Sequence, residues 1–392
     1  MITAQFNDSF PPIADGVANG VKNYTLWLNR KYGKSYAVVP EFPGYTDHEE
    51  FEVIRFKSIP LLSRKPYRIG LHDISFEARK RIMDLPLDII HVRSPFSAGQ
   101  FASQIASAKD IPLIASFHSQ YYFDIKDKVK SEKITMNLLK SIARFYEKAD
   151  AVWTVNQKTA GTLRSYGYNG VIDVIGNGID FEPPTDYEAL RKSVNKKFNI
   201  GENEFVMLYV GQLVWHKNLR FIAEGLQRVK KSGKLFKMIF VGEGPAKKEL
   251  KDLVLELGLE EQTIFTGIIN DRAMIMSIYA RGDLFLFPSI YDTFGIVVRE
   301  AAALSCPCLM IEGTNAAHGI IDLENGFLCS NDNKSFASVI INVMDNPDLL
   351  NRIGASAAKT LPESWESVVD KAYVKYQGII RDYSKKNWSI GI

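Results

Sequence analysis

Cysteine is scarce in this sequence, an Asp-x-Asp pair is absent, and charge of neither sign dominates. Among 392 residues there are three cysteines, Cys306, Cys308 and Cys329. An odd and sparse set excludes the disulfide framework of a small secreted domain and points to a reducing compartment. Without a C-x-x-C spacing or a histidine nearby, the three also make a poor zinc site. The six histidines (His48, His72, His91, His118, His216 and His318) show no metal-ligand spacing, so neither a metal nor a cofactor is expected. Lys+Arg number 48 and Asp+Glu 45, a net charge of +3, which is too small to indicate nucleic acid as a partner. No apolar run approaches the roughly 18 residues of a membrane span. The opening MITAQFNDSFPP has neither the basic start nor the apolar run of a secretory leader. The expected location is cytoplasmic, with peripheral contact to the cytoplasmic face of a membrane left open.

What the chain has in quantity is alternation. Hydrophobic residues make up 46% and charged residues 24%, ordinary globular usage. The length suits two domains of roughly 100–200 residues each. Short apolar runs recur in the first half at Met1–Phe6, Tyr36–Val39, Phe51–Phe56, Asp88–Val92, Leu113–Phe117, Ala151–Val155 and Val171–Ile175. In the second half they fall at Phe205–Val210, Met238–Val241, Ile264–Thr266, Leu284–Phe287 and Cys308–Ile311. Such runs, separated by helical patterns, read as buried parallel strands in doubly wound α/β sheets. Two series predict two Rossmann-like domains, with ligand sites at the carboxyl ends of their strands facing the crevice between them. The break is expected near Asp180–Phe198, where Pro183-Pro184 makes a stiff connector before a polar, basic stretch. This gives an N-terminal domain over 1–183, a C-terminal domain over 184–372, and a terminal helix over 373–392 expected to pack back on the first domain.

The segment from Leu284 to Ala303, LFLFPSIYDTFGIVVREAAA, is the most informative. A strand ends at Pro288-Ser289, a loop carries Asp292, and a helix is expected to open near Phe294-Gly295. Its first amides lack internal partners and form an anion site. Gly295 lets a phosphate approach the backbone, and Glu300 sits where it can accept hydrogen bonds from ribose hydroxyls. This pattern resembles the acidic–x7–acidic signature of retaining GT-B glycosyltransferases of the family 4 and group 1 type. Where that family has Glu-Thr/Ser-Phe-Gly, this chain has Asp292-Thr293-Phe294-Gly295. The resemblance implies that Asp292 and the amides of Phe294, Gly295, Ile296 and Val297 face the donor sugar and distal phosphate, and that Glu300 binds the ribose. A second stretch, Val210–Asn218, resembles the family's Gly-Arg-Leu…Lys loop. Lys217 matches the cation that neutralises the pyrophosphate, and Gln212 replaces the arginine. A third, Phe240–Pro245, resembles the Val-Gly-Asp/Glu-Gly-Pro loop and places Gly242 at the donor; Lys247 stands where a dinucleotide fingerprint needs its third glycine.

In the first domain Gly16 matches the second glycine of the family's Pro-x-x-Gly-Gly-Val turn and Asp15 replaces the first. His118 follows the strand Leu113–Phe117, where the family places a histidine beside the donor sugar. Arg93 stands in a His-x-His-Ser/Thr-Pro-like segment, able to meet an anionic acceptor or to pair with a carboxylate. The resemblance therefore implies a GT-B fold with two domains facing a central cleft, and a catalytic set of His118, Asp292 and Lys217. It implies a UDP-sugar or similar nucleotide sugar as donor, and metal-independent transfer of a hexose with retention. Glu312–Gly319 and Ser58–Arg68 lean toward diacylglycerol α-glucosyltransferases, so the acceptor is a sugar or a lipid. The stretch Lys126–Lys148, with Ile134, Leu138, Ile142 and Phe145 at helical spacing, is either a packed helix with a charged face or a surface for an anionic bilayer. Three rivals stay open: a sugar-nucleotide epimerase, a non-catalytic partner subunit that stabilises an active transferase, and an NAD-dependent oxidoreductase.

Overall fold

A computed structural model describes residues 1–13, 15–181 and 184–390 of the chain. It divides into two compact units, Met1–Gly178 together with Trp365–Ile392, and Ile179–Ser364. The first unit contains strands β1 (Thr3–Phe6), β2 (Ser35–Pro40), β3 (Val53–Phe56), β4 (Ser58–Pro60), β5 (Arg68–Gly70), β6 (Ile89–Val92), β7 (Leu113–Phe117), β8 (Ala151–Thr154) and β9 (Asp173–Val174). Its helices are α1 (Gly16–Lys31), α2 (Phe76–Asp84), α3 (Ser97–Lys109), α4 (Tyr121–Val129), α5 (Glu132–Tyr146) and α6 (Gln157–Ser165). The main sheet is parallel in the order β3-β2-β1-β6-β7-β8-β9, and β4 and β5 form a separate antiparallel hairpin. β1, β6 and β7 are buried at every position, which is why they read as unbroken apolar runs rather than alternating ones.

The second unit contains β10 (Phe205–Val210), β11 (Phe236–Val241), β12 (Thr263–Gly267), β13 (Leu284–Leu286), β14 (Cys308–Ile311) and β15 (Phe327–Cys329). Around them lie α7 (Tyr187–Phe198), α8 (Leu219–Lys231), α9 (Lys247–Glu256), α10 (Arg272–Arg281), α11 (Ile296–Ala303), α12 (Asn333–Asp345) and α13 (Pro347–Thr360). The sheet order is β12-β11-β10-β13-β14-β15, all parallel. α8 shows why these segments become helices on a sheet: Leu219, Ile222, Leu226 and Val229 are buried on one face while Arg220, Arg228 and Lys230 stay outside.

Each expected apolar run is a strand, within a residue or two at its ends. Two features depart from expectation. The polar stretch assigned to the connector is helix α7 of the second unit, capped by Asp186, whose carboxylate accepts from the Ala189 amide at 2.9 Å. Val194 is fully buried on it, and the partly buried Tyr187, Leu190 and Phe198 pack against the same core, a helical stripe running the length of a segment that the sequence reads as linker. Pro183 lies outside the described residues. The last helix, α14 (Trp365–Ile390), starts earlier than the expected return at 373, directly after the second unit ends. It packs on α1: Lys31 bonds to Asp370 at 2.7 Å and Tyr32 stacks on Tyr373 at 3.7 Å between centroids. Trp365, Val368, Val369, Ala372 and Tyr376 form its buried stripe.

Candidate functional site

In the second unit the strand order reverses between β10 and β13. Such a reversal is where the loops leaving neighbouring strands of a doubly wound sheet generally leave a crevice at the carboxyl ends. The turn after β10 delivers Lys217, and the loop after β13 delivers Asp292. The Lys217 ammonium meets the Asp292 carboxylate at 2.7 Å, and lies 5.8 Å from the centre of the Phe287 ring. Asn218, next in chain, donates from Nδ2 to the Pro288 carbonyl at 3.2 Å and ties the two loops together. The fully buried Ser289 accepts from the amides of Tyr291 and Asp292, each at 3.3 Å, which folds the loop so that Asp292 faces Lys217.

Gly295 follows in the left-handed region, φ 64°, and α11 begins at Ile296, one residue beyond the expected opening. The conformation requires glycine. Phe294, Gly295, Ile296 and Val297 are all partly exposed, whereas the residues from Val298 to Ala303 are buried. The helix thus points its amino end outward from the core. Glu300 is only 6% exposed. Its carboxylate accepts from Arg272 Nη2 at 3.2 Å and from the Tyr279 hydroxyl at 3.1 Å. Burial raises its pKa above the ordinary carboxylate value, and Arg272 opposes that rise. Gln212 is exposed at the mouth of the loop after β10. Gly242 has a reason within the protein: a β-carbon there would stand 2.0 Å from the Gly211 carbonyl oxygen. Its lack of a side chain serves two backbones in close approach.

In the first unit His118 stands directly after β7 and is partly buried. Burial, and then the charge of Arg93, push its pKa down to about 3. The imidazole is therefore neutral at ordinary pH. Arg93, expected on the acceptor side, is instead enclosed: it is 2% exposed, donates to Gln5 Oε1 at 2.8 Å, and lies 4.1 Å over the Tyr24 ring. Among the described residues it has no carboxylate partner, and Tyr24 of α1 and Tyr376 of α14 enclose it. Gly16 opens α1 directly after Asp15. Asp15 caps α1, its Oδ1 accepting from the Val17 and Ala18 amides at 2.9 and 2.7 Å, and its Oδ2 accepts from the Tyr67 hydroxyl at 3.1 Å. Two of the first amides of α1 are thus satisfied by the protein's own carboxylate.

The family model for glycosyltransferase family 4 matches residues 14–183, and that for glycosyl transferases group 1 matches residues 190–360. The chain belongs to the GT-B glycosyltransferases. An α-monoglucosyldiacylglycerol synthase of Streptococcus pneumoniae is 26% identical over 324 residues, covering 82% of this chain and 71% of that one. One of Acholeplasma laidlawii is 24% identical over 395 residues, covering 97% and 98%. Among solved structures, Anabaena HepE in complex with UDP and glucose superposes with a TM-score of 0.76 at 16% identity, covering 96% of this chain and all of that one. Within this glycosyltransferase the residues that sequence reasoning missed are Arg272, Tyr279 and Arg299, which surround Glu300 or its helix. One signal was present: IVVREAAA is apolar or small but for its Arg-Glu pair, and a helix apolar on every side is an internal one. Among the described residues no group of His, Cys, Asp and Glu is arranged to hold a metal ion, and no helix is long and apolar enough to cross a membrane.

Proposed function

We propose that this glycosyltransferase moves a hexose from a UDP-sugar to an acceptor hydroxyl with retention of configuration, and that the acceptor is a membrane lipid of the diacylglycerol kind. The observation that carries this is the convergence of Lys217, Asp292 and the outward amino end of α11 at the β10–β13 reversal. A diphosphate would draw the Lys217 ammonium from Asp292 and rest on the first amides of α11, where the helix dipole favours negative charge. These groups would stabilise the leaving phosphate without a divalent cation. Asp292, released from Lys217, is then set to accept hydrogen bonds from the hexose hydroxyls. Glu300 would take the ribose hydroxyls, sharing its carboxylate with Arg272 and Tyr279. A neutral His118 suits a sugar hydroxyl better than a phosphate, since it can donate and accept without carrying charge.

The lipid acceptor is supported by the names of the curated relatives and by a surface in the first unit. The β4–β5 hairpin exposes Ile59, Leu62 and Ile69 beside Arg64, Lys65 and Arg68, and α5 exposes Ile134 and Leu138. Apolar side chains rimmed by basic ones suit the face of an anionic bilayer. A second reading, a non-catalytic partner subunit, is favoured by Asp15 filling the amino end of α1 and by Gln212 replacing a cation.

One experiment separates them. The pure chain is screened by thermal shift against UDP-, GDP- and ADP-sugars, and the best donor is incubated with diacylglycerol vesicles or simple sugars before product analysis. The expected result is stabilisation by the UDP-sugar and an α-linked glycolipid. Stabilisation without product or donor hydrolysis would favour the partner-subunit reading. No stabilisation by any nucleotide would remove the donor site.

A further inference from the structure

Gln212 leaves the donor site one positive charge short of its family pattern, yet a second cation is present from an unexpected direction. Arg299 lies in the first turn of α11 and points inward, 5% exposed. Among the described residues its hydrogen-bond partners are carbonyls, not carboxylates. Its Nη1 donates to the Phe294 carbonyl at 2.5 Å and to the Ala316 carbonyl at 3.2 Å, and its Nη2 donates to the His318 carbonyl at 2.8 Å. The guanidinium also stacks 4.3 Å from the centre of the Phe294 ring. Burial lowers its pKa to about 10, so it stays charged at neutral pH.

Two consequences follow from this geometry. A trans peptide is planar, and its N–H points away from its own C=O. By drawing three carbonyls toward itself, Arg299 turns the amides of Gly295, Ala317 and Gly319 away from itself. Within the described residues none of these three amides donates a hydrogen bond to the protein. The second consequence is electrostatic. A buried charge without a counter-ion is costly unless something of opposite sign arrives, and it is screened by salt much less than a surface charge.

We propose that Arg299 is a positioning residue of the donor site, which sets the Gly295, Ala317 and Gly319 amides toward the distal phosphate and supplies from below the positive charge that Gln212 does not. This rests on the donor-site reading above. It assigns the Glu312–Gly319 segment a place in phosphate binding, through the peptides that follow Ala316 and His318. It also explains an arginine in a helix whose neighbours Val298, Ala301 and Ala302 are buried and uncharged.

The test compares UDP with UMP, which lacks the distal phosphate, or the matching pair for whichever base the wild-type chain binds. Affinities are measured by calorimetry for the full chain as wild type, Arg299→Met and Arg299→Lys. Arg299→Met is expected to lower the UDP-to-UMP affinity ratio about ten-fold, corresponding to about 1.4 kcal/mol. Arg299→Lys keeps the charge but not the planar fork, and should lower the ratio by about three-fold. A role in folding alone would weaken UDP and UMP equally, and that result, or an unchanged ratio, overturns the proposal. Should Arg299→Met not fold, Arg299→Lys decides by the same ratio. A wild-type chain that binds no nucleotide fails differently: it removes the donor-site reading, and this inference with it.

Discussion

His118 and Arg299 show how far a single residue's environment decides its chemistry. Both face the cost of burying charge. His118 responds by staying neutral, its pKa held at about 3, while Arg299 stays charged on three carbonyls. For His118 this has a consequence for stability. Between about pH 6.5, the ordinary histidine value, and pH 3 the unfolded chain binds a proton at this position that the folded chain refuses. Stability therefore falls as pH drops through that window, by up to about 1.4 kcal/mol per pH unit for one such group. His118→Gln should flatten the decline by close to one proton, measured as the pH dependence of denaturant unfolding between pH 6.5 and 4.5. An unchanged slope would count against a neutral, buried imidazole. His118, Lys217 and Asp292 were legible as letters at the ends of strands. Arg93 was legible too, but its burial under α1 was not, because an arginine after a strand reads the same whether it faces solvent or the neighbouring helix.

At the scale of the element, α11 depends on how it starts. Gly295 holds φ at 64°, and a β-carbon there would lie 3.2 Å from Val298 Cγ2 and 3.3 Å from the Phe287 ring. Gly295→Ala should cost about 1–2 kcal/mol for the left-handed backbone alone, and should weaken nucleotide binding as the first amides turn. Thermal unfolding with and without nucleotide checks both. A variant of unchanged melting temperature and affinity would show that the left-handed turn does not matter. Strands such as β1, β2, β6, β7 and β14 were readable because they are buried at every position. The β4–β5 hairpin, three residues a strand, was not, and neither was β15 (Phe327–Cys329), which is too short to give a periodic signal. α7 was mistaken for a connector because its apolar stripe of Tyr187, Leu190, Val194 and Phe198 is set among polar and basic residues just after Pro183-Pro184.

For the molecule as a whole, the chain visits the second unit and returns: α14 follows Ser364 and packs on α1. The first unit is thus closed by a helix that follows the second unit in the chain. Tyr376 inserts from α14, donating or accepting at His91 Nδ1 at 2.6 Å and stacking on Trp153 with centroids 5.2 Å apart. His91 in turn bonds Ser116 at 2.6 Å. Tyr376→Ala should destabilise the first unit by about 3–5 kcal/mol, the usual cost of removing a buried aromatic, with the lost hydrogen bond adding to it. Denaturant unfolding followed by the fluorescence of Trp153 and Trp365 would report this. If that transition stayed in place, α14 would be an ornament of the unit rather than part of its core.

The sequence by itself determined the alternating strands, the two-domain doubly wound architecture, and the acidic–x7–acidic segment with Lys217, because burial on both faces and a glycine-marked turn are local demands written into consecutive residues. Only the tertiary structure decided which charges meet. Asp15 occupies the amides beside Gly16, α1 covers Arg93, Gly242 clears space for Gly211, and Arg299 gathers carbonyls from two loops. Each of these depends on groups far apart in the chain or on the direction a side chain takes from its helix, and neither distance nor direction is carried by the order of the letters.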